Sequence, residues 1–100
     1  MKTEYQIELT EEAKADLYYF PVFERRIITI EIRVQLLHQP LVETRNKKKL
    51  RDNPIATWEL RSGEYRIFYE VNKPSRKVTI VAIGHKEHNI LFIKGIEVKI

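Results

Sequence analysis

The residues best suited to chemistry cluster around one turn. Arg66 lies in Leu60-Arg61-Ser62-Gly63-Glu64-Tyr65-Arg66-Ile67-Phe68-Tyr69, a segment of alternating polar and apolar side chains interrupted at Ser62-Gly63. That alternation is the period of a half-buried strand, and Ser-Gly suits a tight hairpin. A two-residue turn at Ser62-Gly63 sets Leu60 opposite Tyr65 and Trp58 opposite Ile67, with Tyr69 extending the same apolar face. The other face then carries Thr57, Glu59, Arg66, Phe68 and Glu70, with Glu59 directly across from Arg66. An arginine in mid-sheet beside an exposed Phe68 is a candidate anion-binding position. The alternative is a surface ion pair with Glu59, worth at most about 1 kcal/mol.

Two histidines, His85 and His88, follow the strand-like run Val78-Thr79-Ile80-Val81-Ala82-Ile83-Gly84. Histidine exchanges protons near neutral pH, so both are candidates for acid–base work; the alternative is two solvent-exposed side chains beyond a strand. His85-x-x-His88 does not make a metal site, because the spacing indicates no third ligand. The chain has no cysteine, which excludes disulfides, thiolate zinc sites and a cysteine nucleophile. A further cluster, Arg45, Lys47, Lys48, Lys49 and Arg51, lies in a polar connection over residues 41–54.

The elements that must position these groups are legible in outline. Glu4 to Leu9 alternates as a strand. Thr10 followed by Glu11 and Glu12 is a helix start, Ala13, Leu17 and Phe20 share one helical face, and Pro21 ends or kinks that helix. Residues 22–39 fit two periods: Ile28, Ile30, Ile32, Val34 and Leu36 alternate, whereas Ile27, Ile30, Val34 and Leu37 lie on one helical stripe. A strand averages about five or six residues, so the length of the segment points to a helix. Strand candidates follow at 56–61, 64–71 and 77–83, the last closed by Gly84. Two short extended pieces, 90–93 and 96–100, flank a turn at Lys94-Gly95. The expected fold is one α+β domain over residues 1–100, with an antiparallel sheet of about four strands and two N-terminal helices packed on one face.

At 100 residues, 43% hydrophobic and 32% charged, the composition is that of a globular domain rather than a disordered tail. No apolar run approaches the roughly 20 residues of a membrane span, and no basic start precedes an apolar block as in a secretory signal. The net charge of +4 is unevenly placed: residues 1–44 hold five basic and eight acidic side chains, residues 45–100 hold thirteen and six. A basic half beside an acidic half suggests a polyanionic partner, nucleic acid first; a merely basic surface is the alternative.

The segment Trp58-Glu59-Leu60-Arg61-Ser62-Gly63-Glu64-Tyr65-Arg66-Ile67-Phe68-Tyr69-Glu70-Val71, followed by Val78 to Lys86, resembles the RelE/ParE toxin superfamily. The leading strand, helix pair and basic connection match that superfamily in order. The resemblance implies the toxin of a type II toxin–antitoxin system, bound by an antitoxin and set in the cytoplasm. RelE-type members act with the ribosome as metal-independent mRNA endonucleases that repress translation, and ParE-type members inhibit DNA gyrase. No membrane and no small-molecule cofactor is implied.

By this resemblance Arg66 stabilises the phosphate and Lys86 contacts it; guanidinium binds phosphate bidentately and stays charged. Arg61, Arg45, Lys47, Lys48, Lys49 and Arg51 would hold rRNA or the mRNA backbone. The chain also departs from the RelE type. Thr57 and Glu59 stand where such enzymes carry lysines, and Phe92 stands where they carry a tyrosine. Proton transfer would then fall to Glu59 as base and His88 as acid, with His85 a further candidate. The same departures favour a ParE-like inhibitor, or a relative that acts by binding alone.

Overall fold

The computed structural model describes residues 4–99. Its elements are β1 (Gln6–Leu9), α1 (Glu11–Tyr19), α2 (Val22–Leu36), β2 (Lys47–Lys49), β3 (Trp58–Ser62), β4 (Tyr65–Asn72), β5 (Lys77–Glu87), β6 (Ile90–Ile93) and β7 (Ile96–Val98). Two helices pack on one face of a mixed sheet, as expected for an α+β domain. The sheet has seven strands rather than about four: β2-β3-β4-β5-β6-β7 form an antiparallel run, and β1 joins β5 in parallel.

Local signals account for the helices. The Thr10 hydroxyl accepts a hydrogen bond from Ala13 N–H at 3.1 Å, closing the N-terminus of α1 above Glu11 and Glu12. Pro21 stands between the helices in extended conformation and starts α2. Residues 22–36 are helical, so the 3.6 period prevails over the alternating one. The stripe that α2 buries is Ile28, Ile32 and Leu36. The stripe of Ile27, Ile30 and Val34 faces solvent. These buried side chains meet Trp58, Leu60, Ile67, Tyr69, Val78, Ile80 and Ile83 in the main core.

β5 is long enough to take two neighbours on one edge. β1 pairs with Lys77–Ile80 and β6 with His85–Glu87, leaving a gap between them. Asp16 of α1 fills that gap: its Oδ2 accepts from Ile83 N–H at 3.1 Å, and the residue is buried. Gly84 does not end this strand. It runs through the ladder, where a Cβ would overlap the Phe92 carbonyl and stand 2.9 Å from Ile93 Cγ1.

Two local expectations need correction. The β3–β4 turn is Gly63-Glu64, with Gly63 at φ +57°, so Ser62 remains in the strand. The register therefore shifts by two: Trp58 faces Tyr69, Leu60 faces Ile67, Glu59 faces Phe68 and Arg61 faces Arg66. A shift of two preserves which side chains share a face but changes their partners. Phe68 is also fully buried rather than exposed. On the face away from the helices it forms a second cluster with Ala56, Ala82 and Leu91, covered by the loop before β3 and by the β6–β7 hairpin.

Candidate functional site

The face away from the helices carries most of the candidate groups. Strand alternation places Glu59 and Arg61 of β3, Arg66 and Phe68 of β4, and Lys86 of β5 on it. Lys48 of β2 joins them through its pairing with Glu59. Lys86 N–H donates to Glu64 O at 2.8 Å, which ties this end of β5 to the turn before Arg66.

Arg61 and Arg66 are direct cross-strand neighbours, a like-charge pair that is unfavourable unless compensated. The compensation is Glu59, whose Oε1 accepts from Arg61 Nε at 3.0 Å. The Glu59 side chain is 3% exposed and that of Arg61 45%. The Arg61 fork is thus anchored at Nε while the side chain stays nearly half exposed. The Arg66 guanidinium is fixed differently: Nη1 donates to Gly63 O at 2.8 Å and to Tyr65 O at 2.9 Å. Its Nε is buried without a protein partner. Burial lowers the Arg66 pKa, Glu59 raises it, and Arg61 lowers it. Two guanidiniums over one carboxylate leave an excess of positive charge on a partly desolvated surface, a setting that favours an anion.

The other candidates divide. Lys47 faces the helices, opposite Leu60, and is 4% exposed. Its Nζ donates to Gln35 O at 3.1 Å and Gln39 O at 2.8 Å, so it satisfies carbonyls at the C-terminal end of α2. Burial lowers its pKa. Expected as a nucleic-acid contact, Lys47 is a buried structural residue. Arg45, Lys49 and Arg51 are exposed and Lys48 is half-buried. Arg51 lines a groove with Asp52, Asn53, Thr57 and Glu70.

The two histidines lie apart from the arginines. His85 is within β5 rather than beyond it, and alternation turns it toward the helices while Lys86 points the other way. It stacks on Phe92 at 5.6 Å and meets Phe20 edge-on at 6.0 Å. Its Nε2 lies 3.5 Å from Glu87 Oε2, and its Nδ1 is buried without a partner. A small cleft joins His85 to Tyr65, Glu24 and Glu64. His88 is exposed at the β5–β6 turn, in left-handed conformation at φ 51°. Among the described residues no cluster of His, Cys, Asp or Glu suits a metal ion.

Sequence reading missed two organising contacts. Tyr65 donates to Glu24 Oε1 at 2.6 Å and locks β4 to α2. Burial, then Glu24, pushes the Tyr65 phenol up to about 12. Asn53 arranges the loop over Phe68: its Oδ1 accepts from Ile55 N–H at 2.8 Å and its Nδ2 donates to Ala56 O at 2.9 Å. The Asn53-Pro54 pair carried that second signal, since Asx turns begin this way. The Tyr65–Glu24 contact had none, because its partners stand 41 residues apart.

Residues 7–90 match a family model described as the ParE toxin of the type II toxin–antitoxin system parDE. No curated protein matches the chain. Among solved structures, a chain of the toxin–antitoxin complex RelBE2 from Mycobacterium tuberculosis is 27% identical, with a TM-score of 0.70 over 83% of this chain and 99% of that one. A chain of the archaeal RelE–RelB complex from Pyrococcus horikoshii OT3 is 21% identical, with a TM-score of 0.67 over 85% and 98%. A chain of the intact E. coli RelBE toxin–antitoxin complex is 19% identical, with a TM-score of 0.53 over 84% and 99%. The last two similarities are of fold.

Proposed function

The chain belongs to the ParE toxin family of type II toxin–antitoxin systems, and from that premise we propose that it disables its target by binding rather than by cutting RNA. The observation that carries this reading is the division of the candidate groups. The Arg61–Arg66 pair and Lys86 share one face, whereas the Glu59 carboxylate is closed from solvent against Arg61 and His85 faces the helices. A general base must reach the proton it removes. Glu59 at 3% exposure, already accepting from Arg61, is poorly placed to do so. Phe92, stacked on His85, has no proton to exchange. What remains is a fixed cationic surface suited to phosphate or carboxylate oxygens.

The target this reading favours is DNA gyrase engaged with DNA, in keeping with the ParE family. Arg61, Arg66 and Lys86 make the contact, with Lys48 at its margin. Arg66 is held to the turn carbonyls before the target arrives, so little side-chain entropy is lost on binding. A bound antitoxin keeps the toxin inactive, in keeping with the toxin–antitoxin complexes in which the similar RelBE2 chain was solved. The exposed edge of β7, with Ile96 at 68% exposure, suits an added strand from such a partner.

The test is a supercoiling assay with the purified chain and with Arg66→Ala. Inhibition by the wild type and loss of inhibition in the variant are expected. A second reading, ribosome-dependent mRNA cleavage that represses translation, is favoured by the 27% identity to the RelBE2 chain. In it Arg66 and Lys86 hold the scissile phosphate, Glu59 released from Arg61 takes the 2′-hydroxyl proton, and exposed His88 protonates the leaving oxygen. mRNA cleavage with no effect on gyrase would replace the binding reading with this one.

A further inference from the structure

The family match ends at residue 90, and the β6–β7 hairpin runs on from there. It gives the sheet an outer strand, β7, whose one neighbour among the described residues is β6. An outer strand leaves a row of backbone donors and acceptors unpaired, and proteins commonly blunt such rows with prolines, bulges or charges. In β7, Ile96-Glu97-Val98 has no proline and no register shift, and Ile96 is 68% exposed. The turn sets the backbone phase. Lys94 and Gly95, at φ 51° and 76°, form a two-residue turn, so the flanking pair Ile93–Ile96 exchanges both backbone hydrogen bonds. The next such pair is Leu91–Val98. Ile96 and Val98 thus spend their backbone groups on β6, whereas Glu97 and Lys99 direct theirs outward. The side chains of these two are exposed, opposite in charge and, two residues apart, on one face of the sheet. Neither has an ion-pair or hydrogen-bond partner among the described residues.

We propose that β7 is a self-association edge: it pairs antiparallel with β7 of a second copy of the chain, centred on Val98, so that Glu97 of each copy faces Lys99 of the other. Backbone phase and charge order select the same register. Centred on Val98, the outward-directed residues Glu97 and Lys99 fall opposite one another, and each of the two pairs exchanges both backbone hydrogen bonds. The same pairs bring opposite charges together on one face, while Val98 meets Val98 of the second copy on the other. A centre at Glu97 or at Lys99 sets like charges face to face, as does a parallel in-register pair. The occupant follows from the same pattern, because an acid and a base two residues apart are complementary to their own antiparallel image. The two-fold axis stands perpendicular to the sheet, so both Arg61–Arg66 pairs look out on one side and a target meets two cationic surfaces at once. The antitoxin strand suited to this edge would displace the second copy, so the dimer is a state of the free toxin. The inference stands whether the target is gyrase or mRNA.

Sedimentation equilibrium of the purified full chain, from micromolar to millimolar, tests it. The wild type should show a monomer–dimer equilibrium. Glu97→Lys and Lys99→Glu should each weaken the dimer by about tenfold, and the two together in one chain should restore it. Both positions are exposed, so every variant should keep the circular dichroism and melting temperature of the wild type. The chain has no cysteine, so Val98→Cys reads the register under mild oxidation. Residues opposite each other in a non-hydrogen-bonded pair stand about 4.5 Å apart between α-carbons, within disulfide reach, so two copies should cross-link. A wild type that stays monomeric at millimolar concentration overturns the proposal, as does a dimer indifferent to Glu97→Lys. A doubly exchanged chain that associates no better than the single variants overturns the register and the proposal with it. So does a monomer in which Glu97→Lys alters only the binding of a different protein.

Discussion

Arg61 and Arg66 stand directly opposite each other on β3 and β4, and one buried carboxylate, Glu59, makes that juxtaposition tolerable. The pair differs from the expected Glu59–Arg66 couple by a two-residue shift of register. The face holds the same charges in either register, and what changes is which arginine the carboxylate serves. Here Glu59 accepts from Arg61, and Arg66 is only partly compensated.

Glu59→Gln keeps the shape of the side chain and removes the countercharge. It should lower stability by about 1–2 kcal/mol, a moderate figure because Arg61 is nearly half exposed. Denaturant midpoints measure it. The cost should shrink when Arg66→Met is added, because the repulsion it unmasks is then gone. An unchanged cost in the double variant would mean that the carboxylate serves Arg61 alone.

Arg66→Ala should abolish growth arrest and weaken target binding, lowering the slope of log affinity against log salt by about one. Arg66→Lys should recover the salt slope without full affinity, since one ammonium cannot both keep the Nη1 bonds to Gly63 O and Tyr65 O and offer the anion a second nitrogen. Binding titrations at several salt concentrations distinguish the three proteins. Equal potency of Arg66→Ala and wild type would remove Arg66 from the interface.

The fold was legible where local chemistry decides it. The Thr10 cap, Pro21, and the alternating strands around Ser62-Gly63 each act within a few residues, and each produced its element. The parity of the β3–β4 face was legible as well, because a shift of two does not alter it. The pairing was not, because it depended on whether Ser62 or Glu64 shares the turn with Gly63. The basic connection concealed more. Lys47, Lys48 and Lys49 read as one solvated run, yet they form a strand, and alternation sends Lys47 into the protein and Lys48 to the opposite face. Burial of a lysine depends on the carbonyls waiting for it, here at Gln35 and Gln39, and no local pattern announces them. Phe68 was misplaced for a similar reason: its cover comes from Ala56 and Leu91, distant in sequence on both sides.

That contrast between neighbouring lysines is measurable. Lys47→Met should destabilise the chain by about 1–3 kcal/mol, because the Gln35 and Gln39 carbonyls lose their donor while buried. Its effect on the salt dependence of binding should be nil. Lys48→Met should do the reverse, changing stability by less than about 0.5 kcal/mol and reducing the salt slope. Equal behaviour of the two variants in either assay would contradict the opposite orientation of their side chains.

Asp16 gives the fold a pH dependence of its own. Burial raises its carboxyl above the usual 3.8, while the hydrogen bond from Ile83 N–H and the charge of Lys94 act the other way. The folded state therefore holds its proton at pH values where the unfolded chain has released it. Stability from this group is fully present below 3.8 and falls as pH rises through the higher folded value. Asp16→Asn keeps an oxygen to accept from Ile83 N–H and cannot ionise. Its stability relative to wild type should thus increase from acid toward neutrality, as read from urea midpoints of both proteins across that range. Asp16→Ala separates the hydrogen bond from the charge: it leaves the gap between β1 and β6 unfilled and should cost about 1–3 kcal/mol at acid pH. At higher pH that deficit should narrow, because the wild type then bears the penalty of a buried carboxylate. A constant difference between Asp16→Asn and wild type at every pH would show that burial does not shift this carboxyl.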